Sequence, residues 1–363
     1  MQETLSRRDM LRGAAATAAA LAGWRGFIAG ADDADAIRKT PSYNPEMEYR
    51  RLGKTGLWVS AVCLGGHWKR INKIIKGRKE NAGYLPITGE DQPAFEKNRY
   101  DVISRCIEVG INLVDACSGA EIMVYSRALK GRRDKMYMAW SWYEKESRFP
   151  EWRTAAKLLQ GLDEGMKEAG VDHVDLWRIS ALMDGKHTEG EVQEQIKALD
   201  IARKQGKVRF TGFSSHAREW LRMLCEKYPE QVQFICTPYT ADSKVLPNDS
   251  LFDAVRKCDV GVLGIKPFAS NSLFAGDGSP EHPEAEADNR RARLAIRNIL
   301  ANPAITAPIP GLISIQQVDN MALAVKERRQ LDLKERAELD EACRQMWARL
   351  PADYGWLKEW RFV

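Results

Sequence analysis

The sequence predicts an α/β protein built as one (β/α)8 TIM barrel, with a β-hairpin before it and an extra helix after it. Three observations carry this prediction. Short apolar runs recur along the chain: WVSAVCL (58–64), INLVDA (111–116), MYMAW (136–140), VDLWRIS (174–180), VRFTGFS (208–214), VQFICTP (232–238), VGVLGIKP (260–267) and AITAPIPG (304–311). Between most of them lie amphipathic stretches of helical length, such as NRYDVISRCIEVG, RTAAKLLQGLDEGMKEAG and EVQEQIKALDIARKQGK. Such alternation implies parallel strands joined by crossover helices, and eight units over this length suit a closed barrel better than an open sheet.

The amino-terminal segment stands outside that pattern. SRRDMLRGAAATAAALAG joins Arg7 and Arg8 to an alanine-rich apolar run over residues 13–23, and ADA at 34–36 offers a small-residue cleavage site. Position and order read as a twin-arginine export signal over residues 1–36, with the mature chain starting near Ile37. The expected location is periplasmic or otherwise extracytoplasmic. The apolar run is too short for a lasting transmembrane helix and nothing downstream approaches a spanning length, so no stable membrane insertion is expected after processing.

Residues 37–363 then form a single barrel domain. MEYRRLGKTGLWVS places a GKTG turn inside a hairpin ahead of the first strand. A polar insertion over residues 67–97 follows that strand at its carboxyl end, where barrel loops build sites. DLKERAELDEACRQMWARL makes the extra helix within a carboxyl-terminal segment, 327–363.

Composition narrows the chemistry. The net charge of +5 comes from basic residues scattered among acids, without a stripe or aromatic interleaving, so no nucleic-acid partner is expected. Seven cysteines form no C-x-x-C pair and sit mostly inside apolar runs. Buried single thiols are the expectation, and no metal site.

Several segments now point to one family. YRRLGKTGLWVSAVCLGG, GINLVDA followed by SRALKGRRDKMYMAW, HVDLWRI, ALDIARKQGKVRFTGFSSH, IKPFASNSLF and PIPGLISIQQVDN resemble, in that order, the blocks of the aldo/keto reductases, from about residue 48 to 326. The resemblance implies a barrel that binds NADP(H) in an extended pose and reduces carbonyls by hydride transfer. It also implies a catalytic set of Asp, Tyr, Lys and His. Hydride arriving at a carbonyl carbon builds charge on oxygen, so an acidified phenol must stand within hydrogen-bond reach.

Only part of that set is present. Asp115 matches the aspartate, whereas the tyrosine position falls near Ser118, the lysine position at Ser141 and the histidine position at Ser180. Serine is a far weaker acid than an activated phenol, so ordinary test aldehydes are expected to be reduced two to four orders of magnitude more slowly than by an enzyme with its positioned acid. Asp115 itself has two readings, catalytic or structural, the latter by capping the next helix or pairing with Lys266. Glu121, Tyr125, His67, Asp184, His216 and Lys266 all fall at or just after predicted strand ends and are the replacement donors, His67 and Lys266 first among them.

The nucleotide side matches better. By the resemblance, Ser214 and Ser215 would meet the nicotinamide carboxamide, although the family's glutamine partner is here Cys236. KPFASNSLF, with Lys266, Pro267, Phe268, Ser272 and Leu273, corresponds to the pyrophosphate loop. Pro310 and Gly311 lead into a helix whose amino end suits a phosphate. Gln317 stands where many members place a basic residue against the ribose 2′-phosphate, and Asn320 near the adenine-side asparagine, so the cofactor is NADP or NAD. Trp68, Trp140 and Trp142 are open to two readings, stacking on a sugar face or packing. The functions left open are an oxidoreductase acting on a small carbonyl or sugar-like substrate, a catalytically inactive barrel that binds a ligand or assembles with a partner, and a cofactor-assisted lyase or isomerase.

Overall fold

The computed structural model of the protein describes residues 33–75, 92–246 and 248–363. Most of the segment read from sequence as an export signal and the middle of the predicted insertion fall outside them. A short exposed helix, α1 (Ala34–Arg38), carries the ADA site, and the first buried residue after it is Thr40, whose hydroxyl donates to Trp58 O at 2.7 Å.

β1 (Tyr49–Arg51) and β2 (Trp58–Ser60) pair antiparallel as the GKTG hairpin. The hairpin takes the first half of WVSAVCL, so the first barrel strand is the short β3 (Leu64–Gly65). Seven further strands follow in parallel: β4 (Leu113–Ala116), β5 (Tyr137–Trp140), β6 (Val174–Ser180), β7 (Val208–Ser214), β8 (Phe234–Pro238), β9 (Gly261–Ile265) and β10 (Ala307–Ile309). Gly65 N donates to Pro310 O at 2.8 Å and Gly65 bridges Gly311 in parallel, which brings β3 back to β10 and closes the barrel.

Helices cover the outside: α2 (Gln92–Val109), α3 (Gly119–Ala128), α4 (Ala155–Ala169), α5 (Glu189–Lys204), α6 (Arg218–Lys227), α7 (Leu251–Cys258), α8 (Ala285–Leu300) and α9 (Ile315–Lys326). Their starts are written in the sequence. Thr188 and Glu191 form a reciprocal capping box on α5, and Thr154 caps α4 through Lys157 N. α2 begins at Gln92, so the predicted insertion is shorter at its far end than 67–97.

The hairpin plugs one end of the barrel. Leu52, Leu57 and Val59 join Leu113, Leu176, Phe234 and Leu263 in the barrel interior. Gly53, with φ of +48°, lies so close to β9 that a Cβ would sit 2.2 Å from Gly261 N, and Arg51 holds Asp259 with two hydrogen bonds of 2.8 Å. The opposite end, at the carboxyl ends of the strands, is left to the loops.

The segment after α9 does more than the sequence suggested. α10 (Leu333–Ala348) docks on α8 through Arg297, whose guanidinium donates to both carboxylate oxygens of Glu335 at 2.9 Å. The chain then turns back in a 3-10 segment, Ala352–Arg361, to the barrel mouth. Buried Trp360 and backbone bonds between Lys244 and the last residues, such as Val363 N to Lys244 O at 2.8 Å, pin it there.

Candidate active site

A cavity of about 390 Å³ opens at the carboxyl ends of the strands. Its wall includes Asp115 from β4, Arg178 and Ser180 from β6, Ser214 from β7, Cys236 from β8 and Ile309 from β10. Loops add His67, Lys69, Ser141, Arg148, His216, Lys266 and Gly311, and the carboxyl-terminal tail adds Asp353, Tyr354 and Trp356.

Asp115 is 5% exposed and is gripped by Arg178, Nη2 to Oδ2 being 2.9 Å and Nη1 bonding Oδ1 as well. The pairing with Lys266 considered from sequence is therefore replaced by one with Arg178, which lies on β6 near the Asp115 strand. Lys266 projects instead toward the tail, its ammonium 5.4 Å from the Tyr354 ring. Burial pushes the Asp115 carboxyl above its ordinary range against the pull of Arg178, and the aspartate in turn holds the guanidinium firmly charged. Arg178 was legible: a lone arginine in an apolar strand needs a buried anion beside it.

The three serines part company. Ser118 is fully buried, caps α3 by accepting Glu121 N at 3.2 Å, and does not line the cavity. Ser141 and Ser180 do line it, and both engage Glu146 behind them: Ser141 Oγ donates at 2.7 Å and Ser180 N at 2.6 Å to the same carboxylate oxygen. Trp142 N and Trp177 Nε1 donate to the other, at 3.0 and 3.2 Å. Burial pushes the Glu146 carboxyl up, opposed by the hydrogen bonds of Ser180 N, Ser141 and Trp177 and by the charge of Arg178. Glu146 escaped the sequence reading because it lies in a loop with no motif around it.

The opposite chemistry gathers at the end of β3. Glu121, wholly buried, accepts His67 N at 2.6 Å and His67 Nδ1 at 2.8 Å on one oxygen and Cys117 N at 2.7 Å on the other. Burial raises the Glu121 carboxyl, but His67 and the backbone donors outweigh it, so Glu121 sits below its ordinary value and is ionised. His67 thus presents Nδ1 to the carboxylate, an arrangement that fixes its tautomer and ring plane. Gly66 is required for it, because a Cβ there would lie 2.0 Å from Glu121 Cδ. Cys117 Sγ is 3.6 Å from His67 Nδ1, and the ligand atoms of His67, Cys117 and Glu121 all lie within 4.8 Å of one another, the one such trio among the described residues. Burial and Glu121 hold the Cys117 thiol well above its ordinary value. The trio is bound together by hydrogen bonds in its present protonation state, and a metal would have to displace a proton from a thiol that holds it tightly.

Of the other sequence candidates, Tyr125 and Asp184 fall elsewhere. Tyr125 is buried in the core with its hydroxyl donating to Gly65 O at 2.8 Å, and Asp184 sits in an exposed turn with Lys186. His216 lines the cavity and stacks on Trp356 with ring centroids 4.0 Å apart. The tryptophans pack rather than face the cavity: Trp68 meets Phe95 and Tyr125 edge-on, Trp140 is 2% exposed, and Trp142 lies against Gly119 and Gly165.

Of the residues that the resemblance assigns to a nucleotide, Ser214, Lys266, Pro267, Phe268, Pro310 and Gly311 line the cavity. Ser215 does not, since its hydroxyl donates to Leu182 O at 2.9 Å, and Ser272 and Leu273 are buried beneath the loop. Lys266, Ala269, Ser270 and Asn271 all have positive φ, between +46° and +69°, a left-handed stretch that costs non-glycine residues roughly 1–2 kcal/mol each. Beyond Lys69, Phe268, Asn271 and Gly311 lies a second pocket of about 100 Å³, lined by Arg70 and the start of α9. Gln317 turns inward there to accept Ile313 N at 3.0 Å, and Asn320 is tied to Arg293 and Asn289 at 2.7 and 2.9 Å.

The model of the aldo/keto reductase family matches residues 83–292. The chain belongs to the aldo/keto reductase family. Among curated proteins it is 24% identical to L-galactose dehydrogenase of Arabidopsis thaliana over 317 residues, covering 79% of this chain and 91% of that one. It is also 24% identical to the uncharacterized oxidoreductase YrpG of Bacillus subtilis over 329 residues, covering 77% and 91%. In fold it is similar to the aldo-keto reductase AKR11C1 of Bacillus halodurans in its holo form, with a TM-score of 0.59 at 20% identity over 82% of this chain and 96% of that one.

Proposed function

We propose that this aldo/keto reductase family member interconverts a small carbonyl or sugar-like alcohol with NAD(P)(H), using a site rebuilt around Asp115–Arg178, Glu121–His67 and the tail. The carrying observation is a set of polar atoms that the protein leaves unsatisfied. Arg148 Nε, Arg178 Nε and His216 Nδ1 belong to residues of the cavity wall, are buried, and have no hydrogen-bond partner among the described residues. Buried polar atoms of this kind call for a polar ligand or ordered water.

Charge supports a nucleotide in particular. Asp115 is paired to Arg178, which leaves Lys69, Arg148 and Lys266 on the wall against Glu121 and Asp353. That surplus of cations suits an anionic ligand, and the two pockets meet along Lys69, Phe268, Asn271 and Gly311, so a dinucleotide can extend from the barrel centre to the start of α9. When bound, the nicotinamide supplies or accepts a hydride. Lys266 and Lys69 would hold the phosphates' charge, Ser214 would orient the nicotinamide end, and Arg70 is the basic side chain on the outer pocket, a place the family often gives to a residue at the position of Gln317.

A polyhydroxylated substrate suits a cavity lined by His67, Lys69, Ser214 and Tyr354, and the likeness to a sugar dehydrogenase favours the same class. Export by the twin-arginine route belongs to this proposal: cleavage near Ile37 would sever only the exposed helix α1 and spare the buried anchor at Thr40. The test is a screen of aldohexoses with NAD and NADP, and of para-nitrobenzaldehyde with the reduced forms. Cofactor turnover with at least one polyol or aldose is the expected outcome; a purified protein that turns over neither class would remove the enzymatic reading.

A further inference from the structure

We infer that Tyr354, delivered by the carboxyl-terminal tail and flanked by Lys69 and Lys266, is the proton donor to the substrate oxygen, replacing the phenol missing from the position of Ser118. The inference rests on the oxidoreductase reading above and adds to it the residue that moves the proton.

The residues come from three distant parts of the chain. Tyr354 lines the same cavity as Asp115, His67 and Ser180. Lys69, on the loop after β3, donates to the Tyr354 hydroxyl at 3.2 Å and to Ser270 Oγ at 2.6 Å, with its ammonium 4.6 Å from the ring centroid. Lys266, at the end of β9, lies 5.4 Å from that centroid. A phenol beside ammonium groups at the barrel mouth is the pairing carbonyl reduction needs.

The tail is held firmly enough to place it. Trp356 stacks between Tyr354, at 6.1 Å, and His216, at 4.0 Å, and the strand-like contacts of Lys244 with the final residues fix the end of the segment. The titratable groups set near the phenol are Lys69 and Lys266, Asp353 just before it in the chain and on the same cavity wall, and, across Trp356, His216, which burial and Lys266 keep neutral. Burial pushes the Tyr354 phenol up, yet the charges of Lys266 and Lys69 and the hydrogen bonds of Ser270 and Lys69 outweigh it, leaving the group below its ordinary value. Buried Tyr125, which lies nearer the family's catalytic block in sequence, is driven the other way by burial and is bonded to the backbone.

The proton balance is simple. As a C–H bond forms at the carbonyl carbon with the hydride that a bound reduced nicotinamide would give up on its own oxidation, the π pair of C=O moves to oxygen, the O–H bond of Tyr354 breaks and its proton joins that oxygen. The phenolate left behind is held by Lys69 and Lys266 until solvent returns a proton. In the alcohol-oxidising direction the same phenolate accepts the hydroxyl proton.

Wild type, Tyr354→Phe and Lys69→Met decide the matter. In an ultraviolet difference titration, wild type minus Tyr354→Phe should show one phenol ionising below the free value of about 10, and Lys69→Met should shift that ionisation upward. Tyr354→Phe should still show quenching of tryptophan fluorescence by NADH or NADPH, whereas Lys69→Met, which also removes a charge facing the phosphates, should need more nucleotide to reach it and is compared at saturation. Tyr354→Phe should lose about 10²–10⁴ in kcat with little change in KM, and the phenolic limb of the pH–rate profile should move with the titration in Lys69→Met. A Tyr354→Phe enzyme within about threefold of wild-type kcat, or a phenol that ionises no lower than free tyrosine, overturns the assignment. Wild-type protein that binds neither nucleotide overturns the oxidoreductase reading itself, a result the fluorescence arm separates from the first.

Discussion

Replacing Asp115 by alanine should reveal a scaffold role through its cost. The carboxylate is 5% exposed and bidentate to Arg178, itself 1% exposed, so the variant leaves a guanidinium in the barrel interior with its main anion gone. Breaking a buried pair from one side costs about 3–5 kcal/mol, and for a chain of this size roughly 2 °C of melting temperature per kcal/mol gives a loss of about 6–10 °C. Arg178→Met alone should cost a similar amount, because it strands the aspartate. The double variant Asp115→Leu/Arg178→Met removes both charges and should return to within about 1 kcal/mol of wild type, a coupling far outside the additivity of independent sites. Urea unfolding followed in parallel by circular dichroism and tryptophan fluorescence supplies the four free energies. Single variants that lose less than about 1 kcal/mol, or a double variant whose loss is the sum of the singles, would refute the reasoning. A soluble, stable Asp115→Asn protein that has lost all turnover would instead put the aspartate into the chemistry.

Three further outcomes follow from other parts of the molecule. Gly66→Ala should push Glu121 off His67 and cost about 1–3 kcal/mol by overpacking, read as a lower melting temperature and a changed His67 proton resonance. Glu335, hydrogen-bonded to Arg297, is held down at about 2, so its stabilising share is complete above the ordinary carboxylate value and is lost as pH falls toward 2. Glu335→Gln should therefore lower the melting temperature at neutral pH, with the gap to wild type closing as pH falls from about 4.5 to 2. Replacing Arg7 and Arg8 by lysine should leave precursor in the cytoplasm, and normal processing of that variant, followed by immunoblot of cell fractions, would remove the export proposal.

Strand–helix alternation made the barrel legible, because parallel strands and their crossover helices impose two periodicities that survive in the sequence. The hairpin was legible through its glycine turn, and its share of WVSAVCL was not, since an apolar run does not show where one strand ends and the next begins. Asp115, Ser141, Ser180, Ser214, His67 and Lys266 line the cavity at the barrel mouth, a location legible from their places at or just after strand ends. Ser118, near which the family's tyrosine position falls, caps α3 and stays off the cavity wall, and sequence alone does not separate a helix cap from a cavity residue when both follow a strand. Glu146, Lys69 and Tyr354 carry no local motif. They meet the barrel only through loop and tail geometry, and Tyr354 lies beyond the stretch that resembles the family. Arg178 had a signal, its charge in the middle of an apolar strand, that pointed to a buried partner.

The most direct test of the account is a fluorescence titration of the purified protein with NADH and with NADPH. The expected result is saturable tryptophan quenching by at least one of them, weakened in Lys266→Ala by about 1.5–3 kcal/mol, the usual share of a hydrogen bond to a charged group. No quenching by either nucleotide at millimolar concentration would contradict the account and leave a barrel that binds or assembles without catalysis.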